Sequence, residues 1–460
     1  VGASAALILG GGDSDGALSN TSKTAAVLMR DVTAGSLTVS ASANRTYDAN
    51  ATATAGGGNF SETDETKNDK TGGKVESSSA LEKTKDSQGE TTKGTDNGNA
   101  SGKDTSKVSV AAAAGVAAVQ DNVSANLAGV TVNVTNAVVV SAYNQTGVMT
   151  SGKGSASNPE AQTGVGIGVA LGIINNKSTA TIADNAHIVH SGDVTVSANN
   201  RENADGDYLD GLTARAEAGA SSKKLSIAGA LAIGISTGDT KAKIGDGVAI
   251  DDSGVISVTS DVTSQLSAKA VAKSLSSGKT AVGASIALVV SDKDNKASIG
   301  TGNVIVSDGA SVAATNHKVD AGTPFEFGAP DEIIDDIKTA LSDDALLGAN
   351  NYYVEAIGGA AANSTAVQGS FGIMVFNDEI TATIGESQDG GTAATTSINA
   401  RGGDVNAEAD SDFLAKALTG ALSLSGKTGI GVSANVIVST GVTRGKIANN
   451  AIITNAGNMT

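Results

Sequence analysis

The sequence predicts an all-β, repetitive β-solenoid, with a right-handed parallel β-helix as the first choice. Three observations carry the prediction. First, the chain of 460 residues repeats itself: Ala125-Asn126-Leu127, Ala180-Thr181-Ile182, Ala242-Lys243-Ile244, Ala297-Ser298-Ile299, Ala382-Thr383-Ile384 and Gly445-Lys446-Ile447 can be laid on one another. Their last residues lie 55, 62, 55, 85 and 63 positions apart, a period of stacked, elongated repeats rather than of a globule around one centre. Second, there are 58 Gly, 3 Pro, six Phe, five Tyr and no Trp. Large side chains that would build a globular core at roughly 25 cal/mol per Å² are scarce, whereas Ala, Val and Ile suit sheets pressed close together. Third, apolar residues alternate with Ser, Thr and Asn over short runs that break at Gly, Asn and Asp, the pattern of strands and turns.

Lys279 to His317 shows one unit. Thr280 to Val290 reads as a strand, small in its first half and large in its second. Ser291 to Asn295 reads as a polar turn, and Ala297 to Gly302 as a short strand broken by glycines. Val304 to Val306, a turn at Ser307-Asp308-Gly309, and Ser311 to Ala313 complete it. Each unit also carries an alanine-alternating strand, as at Ala214, Ala216 and Ala218, or Ala268, Ala270 and Ala272. Alanine is the best helix former, but here it recurs with period 2 and is interrupted by Gly and Ser. Facing inward, it would let two sheets approach closer than the usual ~10 Å. Residues 1–460 thus form a single continuous solenoid of seven degenerate units. With two to three coils per unit and ~4.8 Å per coil, the rod would measure roughly 70–100 Å.

Two insertions interrupt the period. Gly56 to Lys107 is polar and low in complexity, with Phe60, Val75 and Leu81 as its few large apolar residues, and is expected to hang off the rod as a disordered loop. Lys318 to Tyr353 holds four aromatics, Phe325, Phe327, Tyr352 and Tyr353. Pro330 to Leu341 reads as a helix opened by proline and acids, with Ile333, Ile334, Ile337 and Leu341 on one face. Ser342 could cap a further short turn ending near Gly348. This insertion either covers the rod or protrudes as a contact site, for which Phe325, Phe327, Ile333, Ile337, Tyr352 and Tyr353 are the candidates.

The chain opens with Val1-Gly2-Ala3-Ser4, which matches Val282-Gly283-Ala284-Ser285 inside a later unit. It is therefore expected to be a piece of a longer protein. The net charge of −17 disfavours nucleic acid and anionic lipid as ligands. No apolar run approaches the roughly 20 residues of a membrane helix. The absence of cysteine fits an exported bacterial chain, and also a cytosolic one or a composition with no use for thiols.

Residues that invite catalytic readings fit simpler ones. Ser425-Gly426-Lys427-Thr428 and Ser277-Gly278-Lys279-Thr280 lack the preceding glycine of a phosphate loop, since Ala421 and Lys273 stand there. His187 and His190, three apart in a strand, should point to opposite faces and so share no metal. Turns such as Ile244-Gly245-Asp246-Gly247 could hold calcium, but the acid varies from Asp184 and Asp246 to Thr301 and Glu386, so solvated turns are expected and no cofactor is assigned. A polysaccharide-cleaving β-helix would need clustered acids and aromatic platforms. Threonine rows for ice binding, at Thr38, Thr131 and Thr195, are not kept from unit to unit.

The repeat Ala-x-Ile-Gly-x-Gly, then Gly-x-Val-x-Val-x-Ala, then alternating Ala and Val-Gly-Ala-Ser-x-Ala, resembles the repeats of giant bacterial surface exoproteins, the leukotoxin-like and filamentous-haemagglutinin-like adhesins. The resemblance spans nearly all of the chain outside the insertions. It implies a secreted β-helical rod at the bacterial cell surface that serves in adhesion or biofilm formation. Its partners would be host or neighbouring-cell molecules, or other rods in a fibre, without nucleic acid and without membrane insertion. The alternative is a secreted β-helix that binds or cleaves polysaccharide.

Overall fold

The computed structural model describes residues 1–10, 21–56, 75–77, 108–201, 211–317, 352–387 and 393–460. The protein is a β-solenoid of three parallel sheets, and no described residue is helical. The first sheet stacks the long strands Val108–Leu127, Thr163–Ile182, Leu225–Ile244, Thr280–Ile299, Thr365–Ile384 and Thr428–Ile447. Gly2–Gly10 and Thr21–Leu28 lie end to end along Val108–Leu127 as the first coil of that sheet. The second sheet is narrow, from Val32–Ala34 through His187–His190 to Ala451–Thr454. The third carries the return path, in one piece in Leu37–Gly56 and Val138–Ser157 and in two pieces later, as in Val194–Arg201 with Gly211–Ser222. The loop proposed for 56–107 and the helix proposed for 330–341 fall outside the described residues, apart from Gly56 and a short strand, Val75–Ser77, antiparallel to Ala51–Ala53.

Strand register identifies the repeat with a single circuit of the chain. Leu127 pairs with Ile182, Ile182 with Ile244, Ile244 with Ile299, Ile299 with Ile384 and Ile384 with Ile447. The aligned triplets are therefore neighbours in one ladder, and each unit is one coil instead of two or three. The expected turn at Ser291 to Asn295 is the middle of a 20-residue strand. Its polar residues alternate, with Ser291, Lys293 and Asn295 buried and Asp292 and Asp294 partly exposed or exposed, so a polar run continues the strand without breaking it. Seven coils at ~4.8 Å span about 30 Å along the axis, while a 20-residue strand runs about 65 Å across it. The described body is a broad slab, wider than it is tall, and the expected 70–100 Å rod is corrected accordingly.

The interior has two compartments. Where the three sheets meet, the chain closes a prism filled with ladders of like aliphatics: Leu127, Ile182 and Ile244 from the first sheet, Val132, Ile188 and Ile250 from the second, and Val140, Val196 and Val258 from the third. Stacked identical side chains repeat the same packing at each step, which is how stability accumulates coil by coil. Away from the prism the first and third sheets lie flat on each other, and only small groups separate them, such as Ala170, Ala216, Ala228 and Ala270. The approach is closer than alanine alone requires. A Cβ placed on Gly152 would sit 1.9 Å from the Val169 carbonyl oxygen, and one on Gly166 1.9 Å from that of Gly219.

A buried polar seam divides the compartments. Thr146 Oγ1 donates to Asp121 Oδ2 at 2.7 Å, and the Arg45 guanidinium lies 3.4 Å from Asp121 Oδ1. Further along, Ser260 Oγ donates to the Thr240 carbonyl at 3.0 Å. Asp378 then accepts from Ser291 Oγ at 2.8 Å, the Lys293 backbone N–H at 3.1 Å and Tyr352 Oη at 2.7 Å. These partners supply the bonds that buried polar groups need.

Acidic corner residues staple one coil to the next. Asp184 Oδ1 accepts the Asp246 backbone N–H at 2.8 Å, and Asp246 Oδ1 accepts that of Thr301 at 2.9 Å. Asn185, Gly247 and Gly302 turn the same corner with φ of 60°, 68° and 71°, a region open to Gly and tolerated by Asn. Asp246→Ala removes the acceptor for Thr301 and also for Ser387 Oγ, 2.7 Å away. The expected loss is about 1–2 kcal/mol, read as a lower denaturation midpoint at unchanged slope.

Candidate functional surface

Alternation in the flat half decides which side chains meet water. In Thr163–Ile182, Gly164, Gly166, Gly168 and Ala170 face the third sheet, so Val165, Ile167, Val169 and Leu171 face outward. The same parity holds in neighbouring coils. Ile167, Ile227, Ile286 and Phe371 are 42%, 37%, 38% and 42% exposed. Register stacks them into columns: Val165, Ile227, Val282 and Val367 form one, and Val169, Leu231, Ile286 and Phe371 another. No charged residue occurs in 163–173, 225–235, 280–290 or 365–375. Outward positions recur every ~6.6 Å along a strand, so this uncharged aliphatic face covers roughly 1,000 Å². Exposed apolar patches beyond a few hundred Å² mark interaction surfaces.

The rest of the outer surface is charged. On the same sheet over the prism, Lys177 reaches Asp239 at 3.0 Å, and Lys296 bridges Asp294 at 3.2 Å and Glu379 at 3.1 Å. Burial pushes the Asp239 carboxyl up, but Lys177 and Lys241 outweigh it and hold the group below the ordinary carboxylate range. On the opposite side of the slab, Glu217 lies 3.0 Å from Lys153 and 2.6 Å from Arg215, which likewise overcome its burial and lower its pKa. One step further, Lys269 and Glu355 pair at 3.1 Å with 2% and 0% side-chain exposure. Tyr353 Oη donates to Glu355 Oε2 at 2.9 Å. Burial raises the Glu355 pKa against the opposing pull of Lys269. Burial first, and then the Glu355 charge, raise that of Tyr353.

Of the candidate contact residues, Phe325, Phe327, Ile333 and Ile337 lie outside the described residues. Tyr352 and Tyr353 open the strand Tyr352–Ala362 and are buried. Tyr352 points into the seam, its ring centroid 4.3 Å from Phe376 and 5.8 Å from Phe413. Both tyrosines pack within the solenoid, which withdraws them from the surface. His187 and His190 do not point to opposite faces. Both rings lie at the surface, because the register slips between Ile188 and His190, and they pair with Asp251 at 2.7 Å and Asp252 at 2.8 Å. Among the described residues no group of three or more His, Asp or Glu is placed to hold a metal ion.

Sequence reasoning missed the aliphatic face because large residues were assumed to point inward. The signal was present in Gly164, Gly166 and Gly168. Glycine at every second position belongs on the side where another backbone comes close. No family model, curated protein or solved structure matches the chain. The class rests on the fold alone: a wide parallel β-solenoid with one coil per repeat.

Proposed function

We propose that the chain is a structural and adhesive module, part of the shaft of a secreted bacterial surface filament or giant adhesin. The supporting observation is the unbroken stacking of the first sheet through all seven coils. Every coil presents the same backbone ladders to the next, so units add height without changing the cross-section. Specific side chains can then vary on the faces, which suits display and contact more than turnover. The resemblance of the repeat to bacterial surface exoproteins points the same way.

Beads coated with the purified chain, offered to bacterial and host cells, test this reading. Saturable attachment, competed by soluble chain and absent with a bead-bound helical protein, is expected. Attachment no better than that control, or release of reducing sugar from polysaccharide by the soluble chain, would overturn it.

A further inference from the structure

We propose that the aliphatic face of the first sheet is a self-association surface, on which a second copy of this chain packs face to face. The inference goes beyond the adhesive reading and does not rest on it. About 1,000 Å² of flat apolar surface exceeds the ~800 Å² per partner of a standard stable interface. Sheets pack face to face at about 10 Å through side chains that interdigitate. The relief of this face suits that arrangement.

The column through Gly229, Ala284 and Gly369 is a groove. Ridges flank it, with Ile227 and Val282 on one side and Leu231 and Ile286 on the other. Nothing lies within 4 Å of a Cβ placed on Gly229, so the groove is open. A two-fold mate can set its ridge into this groove and receive the other ridge in return, the self-complementary contact of an isologous dimer.

A lipid surface fits less well. The charged rows at Lys177, Asp239, Lys296 and Glu379 lie on the same outer face of the same sheet. A bilayer that took up the aliphatic half would draw these charges to the same depth, at a cost of several kcal/mol each. A second copy, slid along the strands, covers the apolar half and leaves both charged halves in water. The net charge of −17 also opposes approach to anionic headgroups.

Sedimentation equilibrium of the whole chain tests the proposal. A dimer in the micromolar range is expected. Leu231→Asp with Ile286→Asp should weaken dimerisation at least a hundredfold while far-UV circular dichroism keeps its strand signal. Should that pair lose the strand signal, Gly229→Val with Gly369→Val decides, since it fills the groove from outward positions where a Cβ meets no backbone atom. Thr213→Asp, on the opposite side of the slab, should leave the dimer intact. A monomer at all concentrations, a dimer untouched by the groove-filling pair, or capture of the monomer by neutral phosphatidylcholine vesicles would overturn the proposal.

Discussion

Gly152→Val is expected to be among the most damaging single substitutions in the chain. The new Cβ would lie 1.9 Å from the carbonyl oxygen of Val169, on the facing sheet, and 2.7 Å from its carbonyl carbon. The obstacle is backbone held in a ladder on both sides, so relief requires the two sheets to part. Overpacking a core commonly costs about 1–3 kcal/mol, and more where nothing can yield. A loss of about 3 kcal/mol or more is therefore expected, seen as a fall in the denaturation midpoint or as failure to fold. Gly229→Ala is the matched control: same sheet pair, outward position, open space. It should change stability by no more than about 0.5 kcal/mol, because an outward Cβ meets only water. Equal damage from both variants would show that the flat half is not in backbone contact.

The second large effect belongs to the buried pair on the third sheet. Lys269→Met leaves Glu355 at 0% side-chain exposure with its cationic partner gone. Breaking a buried pair in this way costs about 3–5 kcal/mol, whereas replacing both members with apolar groups of similar size is often neutral. Lys269→Met with Glu355→Leu should therefore recover much of the loss. The pH dependence follows from the raised pKa of Glu355. The folded chain holds this proton more tightly than the unfolded chain does. Its contribution is fully present below the unfolded value near ~4.3 and is lost as pH rises through the higher folded one. Without Lys269 the folded value climbs further. The deficit of the single variant should then be small near pH 4 and full at neutral pH. Glu217, held below the ordinary range by Lys153 and Arg215, contributes in the opposite sense: its part is present at neutral pH and lost as pH falls through the lowered value. Denaturant titrations at several pH values separate the two.

Much of the fold was legible in the sequence. The recurring Ala-x-Ile triplets are register neighbours in the first sheet, and alternating alanines such as Ala214 and Ala216 are the inward lining of the flat half. The number of coils per repeat was not legible. Ser291 to Asn295 looks like a turn because its composition is polar, and only the seam inside the molecule explains why Lys293 can be buried within a strand. The candidate surface was hidden for a related reason. Period-2 alternation shows that Val165 and Gly166 face opposite ways, but not which of them faces in. Tertiary approach of the sheets decides that, and it favours glycine.

Placement of cysteine pairs tests the single-coil repeat most directly, in a chain that has no cysteine of its own. Ser197 pairs with Thr259, and Thr259 with Ala313. One coil per repeat puts Ser197 about 4.8 Å from Thr259 and about 9.6 Å from Ala313. A disulfide needs Cα atoms within about 7 Å. Ser197→Cys with Thr259→Cys should therefore cross-link under mild oxidation, and Ser197→Cys with Ala313→Cys should not. Failure of the first pair, or equal cross-linking of both, would contradict the architecture.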